Sequence, residues 1–247
     1  MININYDLKT INDKRNIIKV KLFETSRIKS DNFTNISNYD LNILFKLYDE
    51  IFLESWFHHN FKGKIKFTLS RQLTRSAGNT RTKKNIAISK PEDIEFEIKI
   101  SLNHLTDFDK VDRYKYVGGI VVKNKLDSLM LIFEHELCHV IEFLIYKKSS
   151  CRKKPFKNLI YGLFGQTEST HKLVSATEIN IQKYGYKPGD KVDFEYEGKV
   201  LRGIITRINK RATVMSLDIN GNYVDSLGNH YMKYYIPLNY LSKKAEF

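Results

Sequence analysis

Residues 127–147 constrain this chain more than any other stretch. Leu129, Ile132, Phe133, Leu137, Val140, Ile141 and Leu144 recur at helical spacing, opened by Asp127 or Ser128 and running to about Lys147. A face that broad must be buried, so this helix organises a core. In its middle stand His135, Glu136 and His139, an HExxH pattern. Four-residue spacing puts both imidazoles on one face, one turn apart, where they can share a metal ion. Zinc suits neutral imidazole, and three protein ligands leave a fourth position for water. The ion lowers the pKa of that water to about 7. Glu136, next to the first ligand, can take the water's proton and return it to a leaving amine. These three parts are what peptide-bond hydrolysis requires. Cys138, between the ligands among apolar neighbours, reads as a small packing residue.

The rest of the chain supplies a core and its punctuation. Residues 1–36 read as a polar N-terminal extension, with Ile17–Phe23 as a short strand. Leu41, Leu44, Phe45, Tyr48, Ile51 and Phe52 predict a helix capped by Ser37 or Asn38, in a region closed by Gly63. Lys64–Leu69, Asn85–Ser89 and Phe96–Ser101 read as strands, and Val117–Val122 as a further apolar run. After the central helix come a basic loop over 147–154, a second helix over about 155–163, and a third over 170–184 closed by Gly185. Trp56 reads as core, and His58 and His59 as surface or capping residues.

Lys187-Pro188-Gly189-Asp190 marks a boundary. Beyond it, strands over 191–196, 200–208, 213–219 and 231–241, with Asn220-Gly221 as a hairpin signal, predict a small all-β barrel of SH3-like type. The expected division is therefore 1–36, 37–185 and 186–247, in an α+β fold.

Charge bears on partners. Lys and Arg total 41 against 28 Asp and Glu, a formal net charge of +13, which favours polyanions such as nucleic acid. The loop Lys147, Lys148, Arg152, Lys153 and Lys154, and a second cluster of Arg71, Arg75, Arg81, Lys83 and Lys84, can track a phosphate backbone. In the barrel, Arg202, Arg207, Lys210 and Arg211 accompany Phe194, Tyr196, Tyr234 and Tyr235, a mixture suited to stacking bases. Two cysteines, Cys138 and Cys151, cannot form a disulfide framework or a four-cysteine zinc ribbon. Neither a signal-peptide pattern nor a run of about 20 apolar residues occurs, so the expectation is a soluble intracellular protein with no membrane partner.

The order of motifs resembles the SprT-like (Spartan-type) metalloprotease domain over about residues 38–180. It is carried by Leu47-Tyr48-Asp49-Glu50, by Ser70-Arg71-Gln72-Leu73-Thr74-Arg75-Ser76-Ala77-Gly78, by Glu97-Ile98-Lys99-Ile100-Ser101, by His135-Glu136-Leu137-Cys138-His139, and by Phe156, Leu163-Phe164-Gly165-Gln166-Thr167 and His171. The resemblance implies a zincin-like core, a small sheet packed on helices, with zinc as cofactor and proteins on or crosslinked to DNA as substrates. It also implies a role for the basic loop and the terminal barrel in recruiting DNA.

One position departs from that pattern. The family places its third ligand as a His in His-Gly-x-x-Phe, whereas this chain reads Cys151-Arg152-Lys153-Lys154-Pro155-Phe156. Counting back from Phe156 puts Arg152, which cannot ligate zinc, at the ligand position. Cys151, one residue away, leads the candidates, because a thiolate binds zinc well. His171 and Glu142 follow, Glu142 also as a residue that orients His139. The rival reading is a degenerate SprT-like protein that binds DNA or acts as a scaffold without catalysis.

Overall fold

The computed structural model describes residues 5–82 and 86–243. It is a mixed α+β structure dividing into two compact units, Met1–Leu173 and Val174–Phe247.

In the first unit the order is α1 (Leu8–Thr25), α2 (Asn38–Ile51), α3 (Trp56–Asn60), β1 (Lys64–Ser70), β2 (Gly78–Thr82), β3 (Glu95–Ser101), α4 (Leu102–Thr106), β4 (Lys115–Val117), β5 (Ile120–Val122), α5 (Lys125–Tyr146), α6 (Lys154–Phe164) and β6 (His171–Lys172). Strand β3 is central to a three-stranded sheet, parallel to β1 and antiparallel to β2. A second small sheet runs β5-β4-β6.

Helix α5 lies at the centre. Its N-cap Asn124 accepts from Asp127 N at 2.8 Å, while the Asp127 carboxylate accepts from Lys123 N. Fifteen of its residues are buried, and they are not all apolar: Glu134, His135, Glu136 and Glu142 are among them. Phe133 packs with Tyr48 and Phe67, and Tyr48 in turn with Phe52 and Phe164. Each such ring contributes about 1.5–3 kcal/mol on burial, which ties α2, α5 and α6 into one core.

Several sequence expectations change. Ile17–Phe23 is not a strand. It belongs to α1, capped by Asp7, whose carboxylate accepts from Thr10 N at 2.7 Å. Within the region read as an N-terminal extension, Ile11, Ile18, Leu22 and Ile28 are buried in the same core as α5. In place of a strand at Asn85–Ser89, residues 86–89 form turns, Asn85 lying outside the described residues. Val117–Val122 is a hairpin, bent at Gly118 and Gly119, both with positive φ. The expected helix over 170–184 splits into strand β6 and α7 (Ala176–Tyr184). Trp56 is half-buried against the core, and His58 and His59 are exposed.

The second unit begins before the boundary read from the sequence, between Leu173 and Val174 rather than after Gly185. After α7 come β7 (Lys191–Tyr196), β8 (Lys199–Ile208), β9 (Ala212–Leu217), β10 (Tyr223–Val224), β11 (His230–Ile236) and β12 (Ser242–Lys243). They form a six-stranded antiparallel sheet in the order β10-β11-β9-β8-β7-β12. Its own core includes Val192, Phe194, Ile205, Val214 and Leu238.

The most consequential packing in the first unit is ionic. Glu134, fully buried, accepts from Arg15 of α1 at 2.8 and 2.6 Å, from Tyr48 at 2.9 Å and from Gln166 at 3.0 Å. Burial works against the Arg15 charge, but Glu134 outweighs it and raises the guanidinium pKa. Breaking such a pair from one side leaves a buried charge unpaired. Arg15→Met therefore loses about 3–5 kcal/mol of unfolding free energy, and Arg15→Met with Glu134→Leu recovers much of it. Chemical denaturation checks both, and a single-variant loss within about 0.5 kcal/mol contradicts the assignment.

Candidate metal centre

Four side chains that the sequence nominates converge beside α5. His135 and His139 have ring centroids 4.9 Å apart, and His171 stands edge-to-face on His135, also at 4.9 Å. Potential ligand atoms of His135, His139 and Cys151 lie within 4.8 Å of one another, a group able to hold a metal ion. Phe156, fully buried at the start of α6, packs against both helix imidazoles at 4.9 and 4.4 Å and so fixes where Cys151 arrives.

The imidazoles are set for ligation by their surroundings. Burial first, and then the neighbouring His171 and His139, push the His135 pKa down to about 2. Burial and His171 bring His139 to about 4; burial and His104 bring His171 to about 4, against an opposing backbone bond from Thr170. At neutral pH all three rings are neutral, the form that binds metals. His135 Nδ1 is buried and has no hydrogen-bond partner among the described residues.

His139 is held differently. Its Nδ1 lies 2.6 Å from Ser149 Oγ, which donates to Glu142 Oε2 at 2.5 Å; Ser150 N donates to the same oxygen at 2.8 Å. A hydroxyl has one proton. Because Ser149 spends it on Glu142, His139 must donate through Nδ1–H. That fixes the tautomer and leaves Nε2 unprotonated, as a metal ligand requires. Glu142 thus acts on His139 through Ser149 and is not a ligand in this arrangement. The sequence flagged Glu142 by its spacing but gave no sign of Ser149.

Glu136 faces the other way. Its carboxylate accepts from Thr80 of β2 at 2.6 Å, and burial raises its pKa to about 7 despite that bond. Gly78, two residues earlier on the same strand, permits the approach: a Cβ there would lie 2.7 Å from Glu136 Cγ and closer still to its oxygen. The Ala77-Gly78 element therefore has a steric reason. Gly78 makes room for the carboxylate, and Ser101 N holds Ala77 O at 2.8 Å.

Searched against family models, curated proteins and solved structures, the chain matches none. The reading of the site rests on its own geometry.

The remaining nominated residues lie elsewhere. Cys138 is fully buried, and burial raises its thiol pKa well above normal. Lys147, Lys148, Arg152, Lys153 and Lys154 are exposed around the segment that carries Cys151. Arg71, Arg75 and Arg81 are exposed, while Lys83 and Lys84 fall outside the described residues. In the second unit Phe194 is core, Tyr234 packs between Phe194 and Tyr196, and Arg202 pairs with Asp193 at 2.8 Å.

The Ser149 relay yields a test. Ser149→Ala lowers metal affinity by about 10–100-fold, while Ser150→Ala, which keeps its backbone donor, changes it little. Competition with a chromophoric chelator measures both, and equal affinities for the two variants contradict the relay.

Proposed function

We propose that this chain is a zinc-dependent metallopeptidase of SprT-like type, built on a zincin-like core with an SH3-like barrel after it. One observation carries the reading. On a single buried helix, the Glu136 carboxyl adjoins His135 and lies one turn from His139, with the Cys151 sulfur within 4.8 Å of the imidazole donor atoms. Glu134 on the same helix is paired with Arg15, whereas Glu136 accepts from the Thr80 hydroxyl and makes no ion pair among the described residues. A titratable group perturbed by burial beside a ligand cluster marks a reaction centre.

The donor set suits zinc. Imidazole nitrogen and thiolate sulfur are its usual ligands, at about 2.0–2.3 Å. The candidate donor atoms here lie within 4.8 Å of one another. His135, His139 and Cys151 would hold the ion. Bound zinc supplies Lewis acidity, lowering the pKa of water to about 7 and polarising a peptide carbonyl.

The protein's own groups do the rest. Glu136 takes a proton from the attacking water and passes it to the leaving amine, a role suited to a carboxyl whose pKa lies near working pH. Thr80 fixes the carboxylate's direction, and Gly78 lets it sit against β2. Ser149 and Glu142 keep His139 in one tautomer.

For substrates we infer proteins bound or crosslinked to DNA. The support is the resemblance, the formal net charge of +13, and the exposed lysines and arginines flanking Cys151. Phosphate contacts by those side chains would bring DNA-held protein to the site by counterion release.

Glu136→Gln keeps its metal yet loses about 10²–10⁴-fold in peptide-bond cleavage, measured on a DNA-binding protein with and without DNA. Undiminished cleavage removes Glu136 from the mechanism, and cleavage indifferent to DNA removes the substrate assignment.

A further inference from the structure

We propose that Tyr196 and Tyr234 of the second unit, flanked by Glu197 and Asp218, form a docking site for a cationic side chain of a basic polypeptide. The proposal stands on that unit alone and does not depend on the metal-site reading.

The two rings make an open corner. Tyr196 ends β7 and Tyr234 lies on β11; they meet edge-to-face with centroids 4.9 Å apart. Phe194, buried, packs against Tyr234 at 5.2 Å and backs its ring. Tyr196 is 44% exposed, so the pair presents aromatic surface to solvent. Other tyrosines of this unit are covered by the chain's own lysines. Lys233 stands 3.7 Å over Tyr223, Lys183 5.0 Å over Tyr184 and Lys243 5.4 Å over Tyr186. Among the described residues none stands over Tyr196 or Tyr234, not even Lys199, which lies opposite Tyr196 in the strand pairing. An uncovered ring face attracts a cation from outside.

The charges around the corner select the sign of what docks there. Strands β7 and β8 are joined by Glu197 and Gly198 alone, both with positive φ, 49° and 74°. Such a two-residue turn favours Asn, Asp or Gly at its first position, and a glutamate there is strained. Asp218 follows β9 and is held by Asn220 N, which donates to Oδ1 at 2.9 Å. Neither carboxylate makes an ion pair among the described residues. Both act on Tyr234: burial first, then Asp218, Tyr196 and Glu197, raise its phenol pKa. In a chain of formal net charge +13, this corner is locally acidic. The sequence suited these tyrosines to stacking bases, but two unpaired carboxylates repel the phosphates that accompany a base. A lysine or arginine side chain suits the rings and the carboxylates together.

The test titrates the full chain into a fluorescein-labelled peptide of alternating lysine and serine, followed by anisotropy at about 150 mM salt. The net charge of the chain repels such a peptide, so its binding reports a local site. Wild type binds it more tightly than a glutamine–serine peptide of equal length. Tyr196→Phe keeps that affinity, and Tyr196→Ala lowers it about two- to fivefold. Glu197→Gly also lowers it while raising the thermal midpoint, because glycine suits the turn, so a folding defect does not explain the loss. Equal affinity for the two peptides overturns the proposal, as does an affinity unchanged in both Tyr196→Ala and Glu197→Gly. A single-stranded oligonucleotide that binds more weakly to Tyr196→Ala and more tightly to Glu197→Gly overturns it in favour of base stacking.

Discussion

A buried helix that carries carboxylates must find a partner for each, or give up its charge. That constraint shapes the first unit around α5. Glu134 is met by a guanidinium, a phenol and an amide drawn from α1, α2 and the segment after α6. Glu142 is met by a hydroxyl and a backbone N–H of the following loop. Among the described residues Glu136 is met by Thr80 alone, and burial raises its pKa to about 7. Three acids on one helix thus have three fates, set by what packs against them. The first joins the N-terminal helix to the core, the second is linked to His139 through Ser149, and the third rests against β2.

The same accounting explains the histidines. His139 has its outer nitrogen engaged by Ser149, whereas His135 Nδ1 has no partner among the described residues. Beside these rings the Cys151 sulfur comes within 4.8 Å of the donor atoms of His135 and His139. The Arg15–Glu134 pair adds a structural dependency, since the residue next to His135 is anchored by the first helix. Removing that helix would loosen the centre itself.

What the sequence made legible follows from period and spacing. The α5 helix, its HExxH face, the strands flanking it and most strands of the second unit carry strong local signals. The misses have local causes. Ile17-Ile18-Lys19-Val20-Lys21-Leu22-Phe23 imitates the two-residue alternation of a strand, while the helix buries only Ile11, Ile18 and Leu22. Strand β2 reads Gly-Asn-Thr-Arg-Thr, with no apolar alternation, so neither its existence nor the role of Thr80 could be seen. His171 reaches the centre through a two-residue strand paired with Val117, more than fifty positions earlier in the chain. No local pattern encodes that contact. Counting back from Phe156 lands on Arg152; Cys151, one residue earlier, is the side chain whose donor atom lies within 4.8 Å of those of His135 and His139.

The central claim is that the paired imidazoles of α5 bind a metal. Zinc content of the purified chain, measured by elemental mass spectrometry beside His135→Ala with His139→Ala, addresses it directly. The account predicts one zinc per wild-type chain and none in the double variant. A wild-type chain that stays metal-free when supplied with zinc, or a double variant that binds it equally well, contradicts it.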